Sequence, residues 1–290
     1  MNAFARIVVL TGLTCAMAAV SVQGQDKLPG VAERAKVVWE TVNATPHALA
    51  ANEHIAIVMN KSQEKKAAEY LATAEKYRQA ATKACGYAKE APWQDPLVVL
   101  VLPGKDEFGT YVRRVQKRML ETGETTSWSM DDNQLHAGMF LKGGKSMAPS
   151  DAQVGELVAA CVAARRIGVK NPSPDWIADG FGRATTHKLG MPTHRQFLLS
   201  EKRRANQACR NLAVSPWNDS AAGEDGAAGR DSLMYLLAYG PPAEKFPAFL
   251  TSFRPDENQE SVPVESALSK AGITPATLWP TWKSWAAGWR

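Results

Sequence analysis

The sequence predicts an α+β fold, with a small mixed sheet and its helices in residues 25–148 and a mainly helical part in residues 149–290. Two observations support this prediction. Short apolar runs rich in β-branched residues, typical of strands, are found before Pro149. Beyond Pro149, almost every stretch has the apolar spacing and end signals of helices.

The first half is predicted to alternate helices and strands. A weakly amphipathic pattern indicates a helix within residues 28–50, and the apolar run HIAIVM indicates a strand at 54–59. Ser62 is the expected N-cap of a helix that ends near Tyr87. The continuous apolar run 97–102 suits an inner strand that is covered on both faces. The further predictions are a helix at 106–120 and strands at 126–130 and 138–141.

The second half is predicted to be helical apart from its connections. Asp151 is the expected cap of a helix that runs to 167, and Pro174 opens another that runs to 189. The segment 215–229 is rich in Gly, Ala, Ser and Asp and is predicted to be a loop. Later helices are predicted around 198–212, 232–239, 243–253, 264–271 and 275–289.

The first 24 residues have the pattern of a secretory signal peptide. Arg6 supplies a positive charge, an apolar run follows at 7–20, and small residues offer cleavage after Ala18 or Gly24. The apolar run is shorter than the roughly 20 residues that a membrane-spanning helix needs. We therefore expect an exported protein, periplasmic or extracellular, whose mature part comprises residues 25–290. No later stretch is apolar enough to span a membrane, so no membrane insertion is expected after cleavage.

Composition argues against two other classes of protein. The net charge is only +5, and no stripe of basic residues interleaved with aromatics is evident, so nucleic-acid binding is not expected. The expected mature chain keeps Cys85, Cys161 and Cys209, which allow at most one disulfide bond. A disulfide-stabilised scaffold is therefore excluded, and Cys161 is expected to be a small buried packing residue.

Two segments of the second half resemble a known family. Residues 174–181 read PDWIADGF, and residues 155–159 read GELVA. With the order of predicted elements, these segments resemble the secreted peptidase-MA-like branch of the gluzincin zinc metallopeptidases. In that family one helix carries His-Glu-x-x-His and the next carries a carboxylate ligand. The resemblance extends loosely over residues 45–290 and implies a gluzincin-like fold.

The resemblance also implies where the catalytic positions lie. Glu156 stands at the position of the general base, and Asp179 stands at the position of the carboxylate ligand. Gly155 and Ala159 stand at the two histidine positions, and neither has a side chain that can coordinate zinc. We therefore expect no metal and no cofactor, and a zinc-peptidase pseudoenzyme rather than an active peptidase.

Several other residues are predicted around the cleft that the resemblance implies. Glu156, Trp176, Asp179, Met139 and His136 are its candidate binding residues. His136 is also expected to be exposed in a polar loop. Glu156 is expected to act as a cap or to form a salt bridge, for example with Arg165 or Arg166, and Asp179 is expected to cap its own turn. A metal site between His187 and His194, which flank a predicted turn at 190–192, is the less favoured interpretation of those two residues.

The expected function is the binding of a peptide or protein in this cleft, by addition of a strand to the neighbouring sheet edge. Two alternatives remain open. One is a non-metal hydrolase that uses Glu156 with Asp179 or His136, since two carboxylates can act as acid and base. The other is a structural envelope protein without a ligand, whose cleft would be filled by side chains such as Phe181 and Met139.

Overall fold

The computed structural model describes residues 30–42, 45–87, 96–131, 134–143, 148–168, 173–254 and 261–289. The predicted signal peptide, residues 1–24, lies outside the described residues. The predicted α+β class is confirmed, because a mixed five-stranded sheet is followed by a helical second half. The gluzincin-like character of this fold stays a prediction.

The sheet has the strand order β1-β2-β3-β5-β4. β2 and β3 are parallel, as are β3 and β5, whereas the outer strands β1 and β4 pair antiparallel with their neighbours. β3 is buried along its whole length because it lies at the centre, with both faces covered. The strands are β1 His47–Ala51, β2 Ile55–Asn60, β3 Leu97–Leu102, β4 Thr126–Asp131 and β5 Gln134–Phe140.

Alternate residues of the strands face two separate apolar layers. On one face Val58 and Leu100 pack with Trp39 and Phe108, which lie on helices α1 Val31–Val42 and α3 Lys105–Arg114. The opposite face packs against α2 Glu64–Ala84 and against the helices of the second half, in one continuous core. That shared core joins the sheet to the helical part of the chain.

The second half contains seven helices in its described residues. α4 lies against α2 and α5, and α5 also lies against α7. At the C-terminal end of the chain, the buried indole of Trp282 donates a hydrogen bond to the Ser232 hydroxyl over 3.1 Å. The helices are α4 Ser150–Ile167, α5 Asp175–Leu189, α6 Arg195–Asn211, α7 Gly223–Tyr239, α8 Phe246–Thr251, α9 Val264–Lys270 and α10 Pro275–Gly288.

Three predictions about elements are wrong. The helix predicted at 106–120 already ends at Arg114. The helix predicted within residues 28–50 ends at Val42, and His47–Ala51 forms strand β1. Pairing with β2 overrides the helical preference of this alanine-rich run. The loop predicted at 215–229 ends earlier, because α7 already begins at Gly223. Gly226 packs against the carbonyl group of Ala221, so the small residues that suggested a loop instead allow a close approach.

The cysteines agree with the packing role expected of them. Cys85, Cys161 and Cys209 are all free and buried. Burial raises the pKa of the Cys85 and Cys161 thiols well above the ordinary range. Across the described ranges, no helix has the length and apolar character needed to cross a membrane.

Candidate functional site

An open cleft lies between the edge strand β4 and the helices α4 and α5. Two adjoining cavities of about 490 Å³ and 210 Å³ form it, and both are lined by Thr125, Thr126 and Asp179. The larger cavity continues along β4 and the segment that precedes it, residues 118–125. The smaller cavity reaches between β5 and α4.

One face of α4 forms the inner wall of this cleft. Gln153, Glu156, Leu157 and Ala160 line the smaller cavity, and their spacing is that of one helix face. Met139 on β5, one of the candidate binding residues, lines the same cavity. The wall is therefore mixed, with apolar side chains around a single carboxylate from α4.

Gly155 and Ala159, the two positions aligned with zinc ligands, do not lie on that wall. A side chain at Gly155 would overlap the ring of Tyr77, whose Cγ lies 2.6 Å from the position of an added Cβ. Ala159 is completely buried in the core. The structure thus brings Glu156 and Asp179 to one cleft and directs Gly155 and Ala159 away from it.

Arg183 on α5 binds Glu156 and completes a buried polar network. The guanidinium group lies 3.2 Å from a carboxylate oxygen of Glu156 and 3.6 Å from one of Glu201. The Thr186 hydroxyl donates to Glu156 over 2.7 Å, and Tyr77 donates to Thr186 over 3.1 Å. Glu156 therefore forms a salt bridge, as expected, but with Arg183 of α5 rather than with Arg165 or Arg166 of its own helix. The partner is on α5 because the carboxylate points across the helix interface.

The close approach of α4 and α5 makes this network possible. Gly182 of α5 faces the backbone of Glu156, and an added Cβ would overlap its carbonyl oxygen and lie 3.0 Å from its carbonyl carbon. Without a side chain at Gly182, the two backbones come near enough for Glu156 to reach Thr186 and Arg183. The glycine is therefore required by the geometry of the site.

Carboxylates outnumber cations around Arg183. Burial raises the pKa of Glu156, and attraction to Arg183 opposes this shift. Burial raises the pKa of Asp231 to about 6, although Arg183 opposes the shift and Glu201 adds to it. Enclosure in the cleft, with repulsion from Asp175 added to it, raises the pKa of Asp179 above its ordinary value. Asp179 is exposed at the cleft mouth, so water screens these interactions and limits the shift.

We expect Asp231→Asn to reduce the pH dependence of stability. The pKa of Asp231 is raised on folding, so its proton is held more tightly in the folded state than in the unfolded state. Its contribution to stability is therefore present below about pH 4, the ordinary aspartate pKa, and is lost as the pH rises through about 6.

Urea unfolding at several pH values between 4 and 8 tests this expectation. The free energy of unfolding of the wild type should fall more steeply over this range than that of Asp231→Asn. Asp219→Asn, at an exposed position, is the control and should follow the wild type. Equal slopes for the wild type and Asp231→Asn would contradict the expectation.

The outer wall of the larger cavity carries mostly acidic groups. Asp175 and Asp179 project from the first turns of α5, and Glu121 faces them from the segment before β4. Arg118 lines the same cavity and is held in an ion pair with Glu124 and a hydrogen bond to Ser127. The cleft therefore presents a net negative wall beside the strand edge.

The backbone of β4 offers unused hydrogen-bonding groups along this cleft. Phe140 donates its N–H to the Thr125 carbonyl, which makes this pair a hydrogen-bonded one. Because such pairs alternate in an antiparallel ladder, the N–H and C=O groups of Thr126 and Trp128 point away from β5. Met130 belongs to the same alternating set as Thr126 and Trp128. Its carbonyl group accepts a hydrogen bond from Arg165 over 3.1 Å, as expected for a group that points away from β5. Thr126 and Trp128 both line the larger cavity.

The remaining candidates lie elsewhere. His136 is buried on β5, 3% exposed, and its Nδ1 is 2.7 Å from the Tyr111 hydroxyl, so the expectation of an exposed loop residue is wrong. The strand extends N-terminal to its predicted start and draws this histidine into the sheet. Trp176 packs beneath Arg230, whose guanidinium carbon lies 5.7 Å from the ring centroid. Trp176 therefore contributes to packing on α5.

His187 and His194 are not joined around a common site. His194 is fully buried and its Nε2 lies 3.0 Å from Asp151, whereas His187 packs against Trp289 with ring centroids 4.6 Å apart. Burial lowers the pKa of His187 to about 3, so this ring is neutral. In the described part of the chain, no group of three or more His, Cys, Asp or Glu side chains could hold a metal ion.

Sequence reasoning missed Arg183, Thr186 and Tyr77. A signal for Arg183 was present, because Asp179 and Arg183 are four residues apart and therefore share one helix face. No comparable signal existed for Tyr77, which comes from α2 and meets the site only in the folded chain. Comparison with known proteins adds no assignment, since no family model and no curated protein matches this sequence.

Proposed function

We propose that this protein is an exported peptide-binding protein that holds an extended peptide segment along β4 in the cleft. The single observation that supports it best is the pair of outward-facing backbone groups at Thr126 and Trp128, which border an open cavity of about 490 Å³. An extended peptide can add a strand to such an edge through main-chain hydrogen bonds. An edge strand of this kind is otherwise a site for unwanted pairing.

The residues in the cleft favour binding over zinc-dependent hydrolysis. Catalytic zinc sites use three protein ligands, and the sequence offers no histidine at positions 155 and 159. Glu156, the residue aligned with the general base, is engaged by Arg183 and Thr186 instead. A pseudoenzyme that has lost the zinc ligands of the peptidases but retains their peptide-binding cleft would account for the missing histidines and for the engagement of Glu156.

The two alternative functions have less support. A hydrolase using Glu156 and Asp179 needs two carboxyl groups that can exchange protons with substrate, and Glu156 is held by an ion pair and a hydrogen bond, which leaves only Asp179 for that role. A structural protein with a filled cleft would place Phe181 in the cavity. Phe181 is instead buried against Phe246, with ring centroids 5.1 Å apart, and the cleft beside it is open.

Selection from a peptide library displayed on phage, with the purified mature chain as target, tests the proposal. The strongest binder is then synthesised in two forms, each N-methylated at alternate residues. Only one alternating set of amides faces β4, so one form should lose about tenfold or more in affinity and the other should bind nearly as well. Given the acidic wall at Asp175 and Asp179, we expect lysine or arginine among the selected side chains.

The outcome of this experiment can contradict the proposal in two ways. Failure to select any peptide would exclude strand addition as the main function. Equal effects of the two N-methylated forms would show that a selected peptide binds by another mode. Trp128→Ala, measured with the same peptide, provides a further check that binding occurs at β4.

A further inference from the structure

The exposed face of α6 carries a basic stripe, which we define as the surface between Leu199 and Asn211. It borders an open cavity of about 630 Å³ and includes Lys202, Arg203 and Arg210, with no acidic residue among the lining side chains. The stripe covers about 18 Å of helix. It lies outside the cleft described above and shares no lining residue with it.

The two faces of α6 differ in whether their charged side chains form ion pairs. On the buried face, Glu201 pairs with Arg183 and with Arg204. On the stripe, neither Arg203 nor Arg210 forms an ion pair with another residue in the described ranges, and both are exposed. The exposed charges of Arg203 and Arg210, which have no counter-charge among the described residues, would be stabilised by an anionic partner.

Apolar groups border the stripe. Leu199 is an exposed large hydrophobic residue at one end, with 39% of its surface accessible. Alongside the stripe, the ring of Trp289 borders the cavity and has Lys202 5.8 Å from its centroid. The Trp289 backbone is fixed by Asn206, whose amide donates to the Trp289 carbonyl over 3.1 Å. The aromatic ring is thus held beside the charges rather than free.

We propose that the stripe docks an acidic amphipathic helix of a partner protein. Arg203 and Arg210 are seven residues apart, about 10 Å along the axis, which is the spacing of acidic residues at i and i+7 of a facing helix. Leu199 and Trp289 give the apolar side chains of such a helix a place to pack. Three cations are fewer than the roughly six to ten contacts of a protein that follows a phosphate backbone. A polypeptide therefore fits the stripe better than a phosphate polymer.

A fluorescein-labelled helical peptide with glutamates and leucines along one face is the probe. Its affinity for the full mature chain is measured by fluorescence anisotropy at low and at physiological salt. The double variant Arg203→Glu with Arg210→Glu should bind the peptide at least about tenfold more weakly than the wild type. Added salt should weaken binding to the wild type, because the charges are exposed.

A matched control separates this site from the overall charge of the protein. Lys65→Glu with Lys66→Glu makes the same change in net charge on an exposed part of α2 and should leave the affinity within about twofold of the wild type. Circular dichroism checks that both double variants are folded. An equal loss in both variants, equal binding of a peptide with glutamine in place of glutamate, or binding of polyphosphate but not of the peptide would each overturn the proposal.

Discussion

Arg183→Met is expected to lower the free energy of unfolding by up to about 3 kcal/mol, the lower end of the range for a buried ion pair, because the side chains of Arg183 and Glu156 are 22% and 13% exposed. Arg183 lies between Glu156 and Glu201, and Asp231 is also within its electrostatic reach. Without the guanidinium group these carboxylates must repel one another or take up protons. Methionine retains much of the apolar stem, so the measured effect reports mainly on the lost charge.

Arg204→Met is the matched control for this prediction. Arg204 also pairs with Glu201, at 2.7 Å, but 39% of its side chain is exposed. Exposed ion pairs contribute about 0–1 kcal/mol, so this variant should unfold close to the wild type in a urea titration. Adding Glu156→Gln to Arg183→Met should recover part of the loss, because it removes one uncompensated carboxylate. If Arg183→Met cost no more than Arg204→Met, the network around Arg183 would not be the stabilising centre of the site.

Replacing Gly155 and Ala159 by histidine is expected to destabilise the protein by about 3–5 kcal/mol without creating a zinc site. The imidazole at position 155 would collide with the ring of Tyr77, and the one at position 159 would enter a core that is fully packed. Neither side chain would reach Asp179 across the cleft. Elemental analysis after dialysis should therefore find no stoichiometric zinc in the double variant.

Ala160→His is the control, because it introduces the same side chain at the neighbouring position of α4. Ala160 borders the smaller cavity, so Ala160→His can direct its ring into open space. We expect Ala159→His to cost at least about 2 kcal/mol more than Ala160→His in chemical unfolding, because only the former overpacks the core. Near-stoichiometric zinc in the double variant Gly155→His with Ala159→His would contradict the expectation that these two positions point away from the cleft. It would support the expected match of the two positions with the zinc-binding histidines of the peptidases.

The sequence predicted most of the fold where a local pattern matched the final environment. The run 97–102 is apolar throughout and forms the central strand, and the helix predicted at 151–167 is α4. Strand β1 could not be predicted in this way, since its residues HALAA have no strand preference and are extended only because β2 pairs with them. The predicted helix 106–120 was too long for a related reason, because α3 ends at Arg114 and the chain then turns towards the cleft.

The candidate site was predicted in part. Glu156 and Asp179, from the two motif segments, and Met139, from the strand that precedes them, line one cleft. The orientation of Gly155 could not be predicted, because it depends on Tyr77 from a helix about eighty residues earlier in the chain. For the same reason, the sequence could not show that Glu156 pairs with Arg183, because Arg183 lies on α5 and not on the helix that carries Glu156. A motif fixes which residues share a helix face, but neighbouring elements fix which face meets the cleft.

The crossing of α4 and α5 at Gly182 has a consequence for how the protein can evolve. The two helices are held together by backbone contact, so their separation does not depend on which side chains line the cleft. Substitutions at wall positions such as Leu157, Ala160 and Asp179 can then change the shape and charge of the cleft while the helices stay in place. The lining of the cleft and the spacing of the helices are encoded at different positions, so the cleft can be reshaped by a few exchanges without first evolving a new scaffold.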